Sequence, residues 1–375
     1  MMKVFIGQDN IITPLGFSTK ENLDNILNGE TGIRTCTNTP LSSKPFPASL
    51  IDNTEINERF QALGDIQKYT RFEKLSILSI ENALKNSTIP LSDPRTLFIL
   101  STTKGNIELL DDDLREDFSK ERLNLYTTAK IISEFFSLYN TPMIISNACI
   151  SGIAAIILGQ RLISQGLYDN VIVNGTDVLS RFVVSGFQSF LSLSASPCKP
   201  FDANRDGLTL GEGSATIILT KDKSSIEIVN GATSNDANHI SGPSTTGEGL
   251  FIAINNATKN YKNIDLISAH GTATLYNDDM ESKAISRAGL ESVPTNSLKG
   301  YFGHTLGAAG IIESLINLES LKKNILINTI GCTTPGTVEN INIIQEKKDQ
   351  QLNCLLKLAS GFGGCNAAAL FLKHE

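Results

Sequence analysis

The chain has 375 residues, of which 41% are hydrophobic and 19% charged, with a formal net charge of −7. That length predicts about two or three compact units, and the apolar share supplies a sizeable core and excludes a disordered chain. The acidic balance argues against general nucleic-acid or anionic-membrane binding, which needs a dominant basic surface, and no apolar run nears the ~18 residues of a membrane-spanning helix.

The opening MMKVFIGQDNIITPLG has one lysine and a short apolar stretch, and reads as a first strand and loop instead of a signal peptide. The first clear helix pattern covers Phe72–Lys85. The apolar Met143–Ser146 reads as a buried strand that runs through Asn147, Ala148 and Cys149 into a helix over Ser151–Gln165. Further strands are predicted at Val171–Val173, Ala215–Thr220, Ile226–Val229, Leu266–Ala269 and Val293–Ser297, and a second small-residue helix at Ala308–Leu321. The alternation is that of an α/β protein with mostly buried sheets. The polar turn Lys221–Ser225 is the weakest seam, which divides the chain into halves 1–222 and 223–375. Each half leads a strand into a small-residue helix, with a reactive side chain at that helix's start.

The 6 cysteines are scattered without a CxxC pair. This excludes a disulfide-dense scaffold and a zinc ribbon, and fits a reducing cytoplasm. With 4 histidines and no HExxH, a metallohydrolase is disfavoured and no metal is expected.

Cys149 lies in NACISG, ahead of a helix that is apolar on nearly every face. Unpaired N–H groups and the positive end of the helix dipole there favour a thiolate and a lowered pKa. The bland alternative is a small buried hydrophobe. His270 lies in AHGTAT, at the carboxyl end of a strand, where open α/β sheets place ligands. Thr272 and Thr274 suit an amide-rich ligand. Asp278 and Glu281 follow at a helix start, where carboxylates are favoured, and capping is the preferred role for Asp278. His304, in KGYFGHTLGAAG, opens the second helix, where the dipole keeps an imidazole neutral. Lys299 orients the site or pairs with Glu281. The glycines around Phe362 in GFGG imply positive φ and either an oxyanion-binding loop or a tight turn. FDANRDGLTLGEG (Phe201–Gly213) reads as a structural brace.

NACISG, FDANRDGLTLGEG, AHGTAT with NDDME, KGYFGH with GAAGIIES, and GFGGCN occur in an order and spacing that resemble the β-ketoacyl-[acyl-carrier-protein] synthases of the thiolase-like superfamily. The resemblance covers Ile144 to the C-terminus and includes the opening strand. It implies a thiolase-like fold of two similar βα halves in five α-β-α-β-α layers. It implies a Cys149–His270–His304 triad of the elongating type, with Lys299 beside it and Glu281, Asp278 and Glu313 in support. It further implies an oxyanion hole from the N–H groups of Cys149 and Phe362, with Phe362 as a gate, and Thr272 and Thr274 on phosphopantetheine. Cys365, near the place of the second thiolase cysteine, is read as a packing residue. The implied reaction is decarboxylative condensation of malonyl-carrier protein with a Cys-bound acyl group, in fatty acid, polyketide or aryl-polyene synthesis. No cofactor is implied beyond the carrier's own phosphopantetheine. The alternative is a silent, chain-length-setting subunit, but such relatives lack the nucleophile.

The implied partners are an acyl carrier protein and a second ketosynthase-like chain, identical or not. An acidic carrier needs a local basic patch. Lys68 and Arg71, on an expected helix face, and Lys199 and Arg205 are the candidates, with ordinary solvated charges as the alternative. The stretch Ser101–Leu123 and the residues after it lack the family's proline-rich segment, and this departure points to a specialised aryl-polyene or pigment-type enzyme.

Overall fold

The computed structural model describes residues 2–37, 39–111, 117–239 and 242–374. Residues 112–116 of the departing Ser101–Leu123 stretch lie outside the described residues. Among the described residues, ten strands join in one sheet. They are β1 (Phe5–Ile12), β2 (Thr96–Ser101), β3 (Met143–Ile145), β4 (Asn170–Asp177), β5 (Gly213–Thr220), β6 (Ile226–Asn235), β7 (Leu266–Ser268), β8 (Thr295–Asn296), β9 (Cys354–Gly361) and β10 (Cys365–Lys373). Their order is β8-β7-β9-β10-β6-β1-β5-β4-β2-β3. Counted within each set of five, both sets run 1-5-4-2-3. The pairing senses repeat as well: each first strand is antiparallel to its fifth and the fifth to its fourth, and the rest are parallel. The sets touch through the antiparallel pair Phe5 and Glu227.

The helices that matter for the site are α1 (Arg71–Leu84), α2 (Leu125–Phe135), α3 (Ser151–Ser164), α4 (Arg181–Ser189), α5 (Glu248–Thr258), α6 (Leu275–Arg287), α7 (Lys299–Phe302) and α8 (Ala309–Lys323). α3 and α8 each pack on strands of both sets and form the middle layer. α1 covers β1, β4 and β5 on one outer face, and α5 covers β6, β9 and β10 on the other. The result is the expected α-β-α-β-α stack. Middle-layer helices are almost wholly buried: α3 is apolar on most faces, whereas α8 buries Glu313, Ser314, Asn317 and Ser320 and exposes only its last lysines, Lys322 and Lys323. Ile153, Ile156, Ile311, Ile312 and Leu315 from these helices share one core with Val171 and Leu219 of the first set and Leu355 and Ala367 of the second.

Element boundaries follow local chemistry. α1 begins one residue before its expected start, because Thr70 and Glu73 form a reciprocal capping box. α8 ends at Asn324, which adopts a left-handed φ of 56°. The strand expected at Val293–Ser297 shrinks to Thr295–Asn296. Among the described residues, no helix is long and apolar enough to cross a membrane.

α3 and α8 meet backbone to backbone at their first turns. A Cβ built on Gly152 would lie 3.0 Å from both the Gly307 carbonyl oxygen and the Ile311 nitrogen, and one on Gly310 would lie 2.9 Å from the Ile153 nitrogen. Gly152 therefore admits the partner helix. Gly152→Ala should lower stability by about 1–3 kcal/mol, the usual range for overpacking a tight core. A urea midpoint equal to wild type would show that the helices separate freely.

Candidate active site

The nucleophile sits on a turn that the chain reaches at a backbone cost. Ala148 has a φ of 44°, in the left-handed region that a residue with a Cβ seldom enters. The Ser151 hydroxyl donates to the Ala148 carbonyl at 2.6 Å and accepts the Asn147 N–H at 2.8 Å, which holds the turn. Cys149 follows, one residue ahead of the Ile150 N-cap of α3. Its thiol is not depressed as the helix start led us to expect. Burial dominates and pushes it up to about 12. At neutral pH Cys149 therefore rests as a thiol.

His304 Nε2 lies 3.0 Å from Cys149 Sγ, and the His270 ring stands 5.1 Å from the His304 ring at 84°. One donor atom from each of Cys149, His270 and His304 falls within 4.8 Å of the other two. These are donor types that zinc also takes. Both rings are held well below the ordinary imidazole pKa, first by burial and then by the charge of Lys299. The cause for His304 differs from the expected one, because His304 does not open the helix. It follows Gly303, and α8 begins at Ala309. Its backbone is clamped to the Phe201–Gly213 segment: the His304 N–H donates to Thr209 at 2.7 Å, and Gly211 donates to the His304 carbonyl at 3.0 Å.

Donors occupy the far nitrogen of each ring. His304 Nδ1 accepts the Leu306 N–H at 3.3 Å, and His270 Nδ1 faces the Lys299 ammonium at 3.3 Å. A neutral ring with Nδ1 accepting carries its proton on Nε2. Both Nε2–H groups are thus available as donors.

Lys299 pairs with Glu313, not with Glu281. Its ammonium donates to Glu313 Oε1 at 2.6 Å and to the His270 carbonyl at 2.5 Å. Glu281 instead accepts the N–H groups of His270 (2.7 Å) and Gly271 (2.6 Å). Burial, and then Asp278, push its carboxyl up to about 7. Asp278 does not cap α6 as preferred. It accepts the N–H groups of Phe201 (2.8 Å), Thr272 (2.9 Å) and Ala273 (3.2 Å), which fixes the AHGTAT loop against the brace.

A cavity of about 390 Å³ reaches Cys149, His270 and His304. Thr272 and Thr274 line it, with their hydroxyls 2.9 Å apart. Phe362 also lines it, stacked on Phe187 (5.7 Å between centroids, 28°) and edge-on to Phe190 (5.5 Å). Gly363 and Gly364 have φ of 83° and 74°, as the glycine run led us to expect. A Cβ on Gly361 would lie 3.0 Å from the Cys149 nitrogen. Cys365 is buried, and its thiol donates to the Phe362 carbonyl at 3.3 Å.

The basic candidates divide. Lys68 is exposed, in the turn before α1 and not on a helix face, and Lys199 is partly exposed. Arg71 is turned inward onto Glu212 in a bidentate pair (2.7 and 2.6 Å). Arg205 is buried against Asp279 at 2.7 Å and the carbonyls of Asp202 and Gly336. Neither arginine presents charge to a partner. Arg71 answers the buried Glu212, and Arg205 answers the partly exposed Asp279, with the buried Asp278 4.0 Å away.

Sequence reading missed Lys357, Asp177 and Lys104. Lys357 joins Glu313 at 2.5 Å. A lysine inside the apolar run CLLKLAS was the available signal, since such a residue must find a buried partner. Asp177, at the carboxyl end of β4, accepts the Gly307 N–H at 2.7 Å and the Thr103 N–H at 3.0 Å. Lys104 is half-buried, and its charge opposes the burial-driven rise of the Cys149 pKa and, after burial and Lys299, adds to the fall of the His304 pKa.

Residues 3–225 match the N-terminal domain of beta-ketoacyl synthases, and residues 226–333 match their C-terminal domain. The putative mitochondrial 3-oxoacyl-[acyl-carrier-protein] synthase of Schizosaccharomyces pombe is 29% identical, over 100% of this chain and 99% of that one. The 3-oxoacyl-[acyl-carrier-protein] synthase 2 of Staphylococcus aureus is 26% identical with the same coverage. Among solved structures, a beta-ketoacyl synthase from Burkholderia phymatum superposes with a TM-score of 0.84 at 25% identity, covering 100% of both chains. A chain from the ketosynthase–chain length factor complex of Xenorhabdus doucetiae gives 0.85 at 24% identity, covering 100% of this chain and 98% of that one. With two domain matches that together take in residues 3–333 and a Cys-His-His cluster at the floor of its cavity, the chain belongs to the beta-ketoacyl synthase family.

Proposed function

We propose that the protein is a β-ketoacyl-[acyl-carrier-protein] synthase of the elongating type. The observation that carries this reading is the convergence on Cys149 of two neutral imidazoles whose Nδ1 atoms are both occupied. In the first half-reaction, Cys149 sulfur attacks the carbonyl carbon of an acyl-phosphopantetheine thioester. The bond from that carbon to pantetheine sulfur breaks, and the thiol proton of Cys149 ends on the departing pantetheine thiol. The transient thiolate is stabilised by His304 Nε2–H and the start of α3. N–H groups of Cys149 and Phe362 receive the oxyanion.

In the second half-reaction, the Nε2–H groups of His270 and His304 receive the carbonyl oxygen of a malonyl thioester. The bond to its carboxylate breaks, carbon dioxide leaves, and the electron pair passes into an enolate that both donors stabilise. The enolate carbon attacks the acyl carbon, the bond to Cys149 sulfur breaks, and the thiolate regains a proton from solvent. The product is a 3-oxoacyl thioester, in fatty acid or polyketide synthesis. Thr272 and Thr274 hold the pantetheine amides. No step draws on a metal or cofactor beyond the phosphopantetheine. A silent chain-length-setting role finds no support, because the nucleophile and both donors are in place.

The partners follow from the same reading. The carrier protein stands at the cavity mouth, where Phe190, Leu191, Leu275 and Tyr276 expose 55%, 90%, 53% and 79% of their surface. Lys68 and Lys199 remain the basic candidates, Lys68 at a separate cleft with Tyr69, Phe118 and Arg122. A second ketosynthase-like chain adds to the open edge at β3, where Met143 is 36% exposed. We place the protein in the cytoplasm, which suits its free cysteines.

Incubation with defined acyl-carrier proteins followed by mass spectrometry should show one acyl group on Cys149, and none in Cys149→Ala. Condensation by that variant would sink the mechanism. Alkylation of Cys149 by iodoacetamide should rise with pH and show no plateau below about pH 10, since a thiol at about 12 is protonated throughout that range. A plateau near neutrality would mean that the thiolate is the resting form.

Reversing Lys68 and Lys199 to Glu should raise the apparent KM for carrier-bound substrate and flatten its salt dependence. Turnover of a small pantetheine thioester should hold. Equal losses on both substrates would remove these lysines from docking.

A further inference from the structure

Lys357 projects from β9, and its side chain has no solvent exposure. Its ammonium donates to Glu313 Oε2 at 2.5 Å and to the carbonyls of Ala269 (3.1 Å) and Ser268 (3.4 Å). Lys299 takes the other oxygen of that carboxylate and the next carbonyl in line, that of His270. Two ammonium groups thus share one carboxylate, and three successive carbonyls at the end of β7 complete their bonding. Lys299 and Glu313 alone would form a neutral pair. With Lys357 present, two ammonium groups divide one carboxylate beside His270, and Glu281, pushed up to about 7, is the other acid that acts on them. The chemistry derived above gives Lys357 no part.

We infer that Lys357 is a positioning residue for the two imidazoles: by dividing Glu313 with Lys299 it leaves Lys299 with uncompensated charge toward His270 Nδ1, and it ties down the strand end that carries His270. The kinetic arm of this inference rests on the ketosynthase reading.

Charged groups reach the pair from several elements. From α8 comes Glu313, already shared. From α7 comes Lys299. From α6 comes Glu281, hydrogen-bonded to the N–H groups of His270 and Gly271 and to Asn277, and its charge reaches Lys357 without a hydrogen bond. Across the cavity floor lie His270 and His304, with Lys104 beyond. Burial and then Lys299 draw the Lys357 ammonium below its ordinary range, and Glu313 and then Glu281 oppose that shift. Protonating either imidazole would place a cation close to two ammonium groups, and after burial both Lys299 and Lys357 lower each ring's pKa. The charge therefore keeps both rings neutral and holds the proton on Nε2, the form the enolate requires.

The chain has 4 histidines, so ring nitrogens can be followed singly by NMR on protein labelled with ¹⁵N-histidine. Wild-type His270 should remain an Nε2–H tautomer, with a titration midpoint below the ordinary 6.5. In Lys357→Met that midpoint should rise by about one unit. The acid limb of malonyl decarboxylation should rise with it, with KM for the malonyl thioester unchanged. Lys357→Arg, which keeps the charge, should restore the wild-type midpoint. A Lys357→Met protein that folds and titrates as wild type overturns the inference, and so does an arginine variant that behaves as the methionine one. If Lys357→Met does not fold, the wild-type titration decides, because a His270 midpoint at or above 6.5 is incompatible with the proposed charge. If wild type condenses no carrier-bound substrate, the ketosynthase reading falls while the titration still judges Lys357.

Discussion

The site exists because two helices touch without side chains between them. Cys149 precedes α3, and His304 precedes α8. The 3.0 Å from sulfur to imidazole is possible only where the two helix starts come within backbone contact. Gly152 and Gly310 provide that contact, each open to the other helix's backbone. The remainder of the architecture serves the meeting. Two five-strand sets with one topology clasp the helices from opposite sides, and the Thr209–Gly211 segment pins His304 from a third direction.

Charge is arranged around this apolar contact with little waste. Buried acids are engaged by backbone N–H groups or by basic side chains, and buried bases by acids or carbonyls. Glu281 and Asp278 shape the loop that bears His270, and Asp177 ties the Thr102–Thr103 turn to Gly307. These carboxylates do their work without touching the reacting atoms. Such polar groups are expensive to bury unpaired, so the loops they hold are strongly defined. Definition of that kind is what a reaction relying on two fixed N–H donors needs.

Much of this was legible in the sequence. The strand-turn-helix around Cys149, the AHGTAT and KGYFGH loops and the glycine run at Phe362 carry local signals of turn, period and residue type. The five-layer stack and the triad were implied by the family resemblance that their order and spacing carry. What was not legible depends on distance between remote segments. Arg71 and Arg205 look like surface charges in a local window, and only the fold sets Glu212 and Asp279 against them. Lys299 had Glu281 as its expected acidic partner, and α8 delivered Glu313 to it instead. The Cys149 thiol was misjudged because a helix start is visible in sequence, whereas the depth at which it is buried is not. Lys357 was hidden by the same limit: its partner lies 44 residues away.

The division of the site between the two halves has a consequence for how the protein fails. Nucleophile and donors do not share a rigid element, and their spacing reports how tightly the middle layer is seated. A slip of α3 past α8 by a fraction of an ångström leaves secondary structure and most of the core intact, yet it separates sulfur from nitrogen. Partial loosening of this kind costs less free energy than global unfolding. The protein should therefore lose its chemistry in mild denaturant well before it loses its helices, so that the turnover rate serves as a strain gauge on the helix contact.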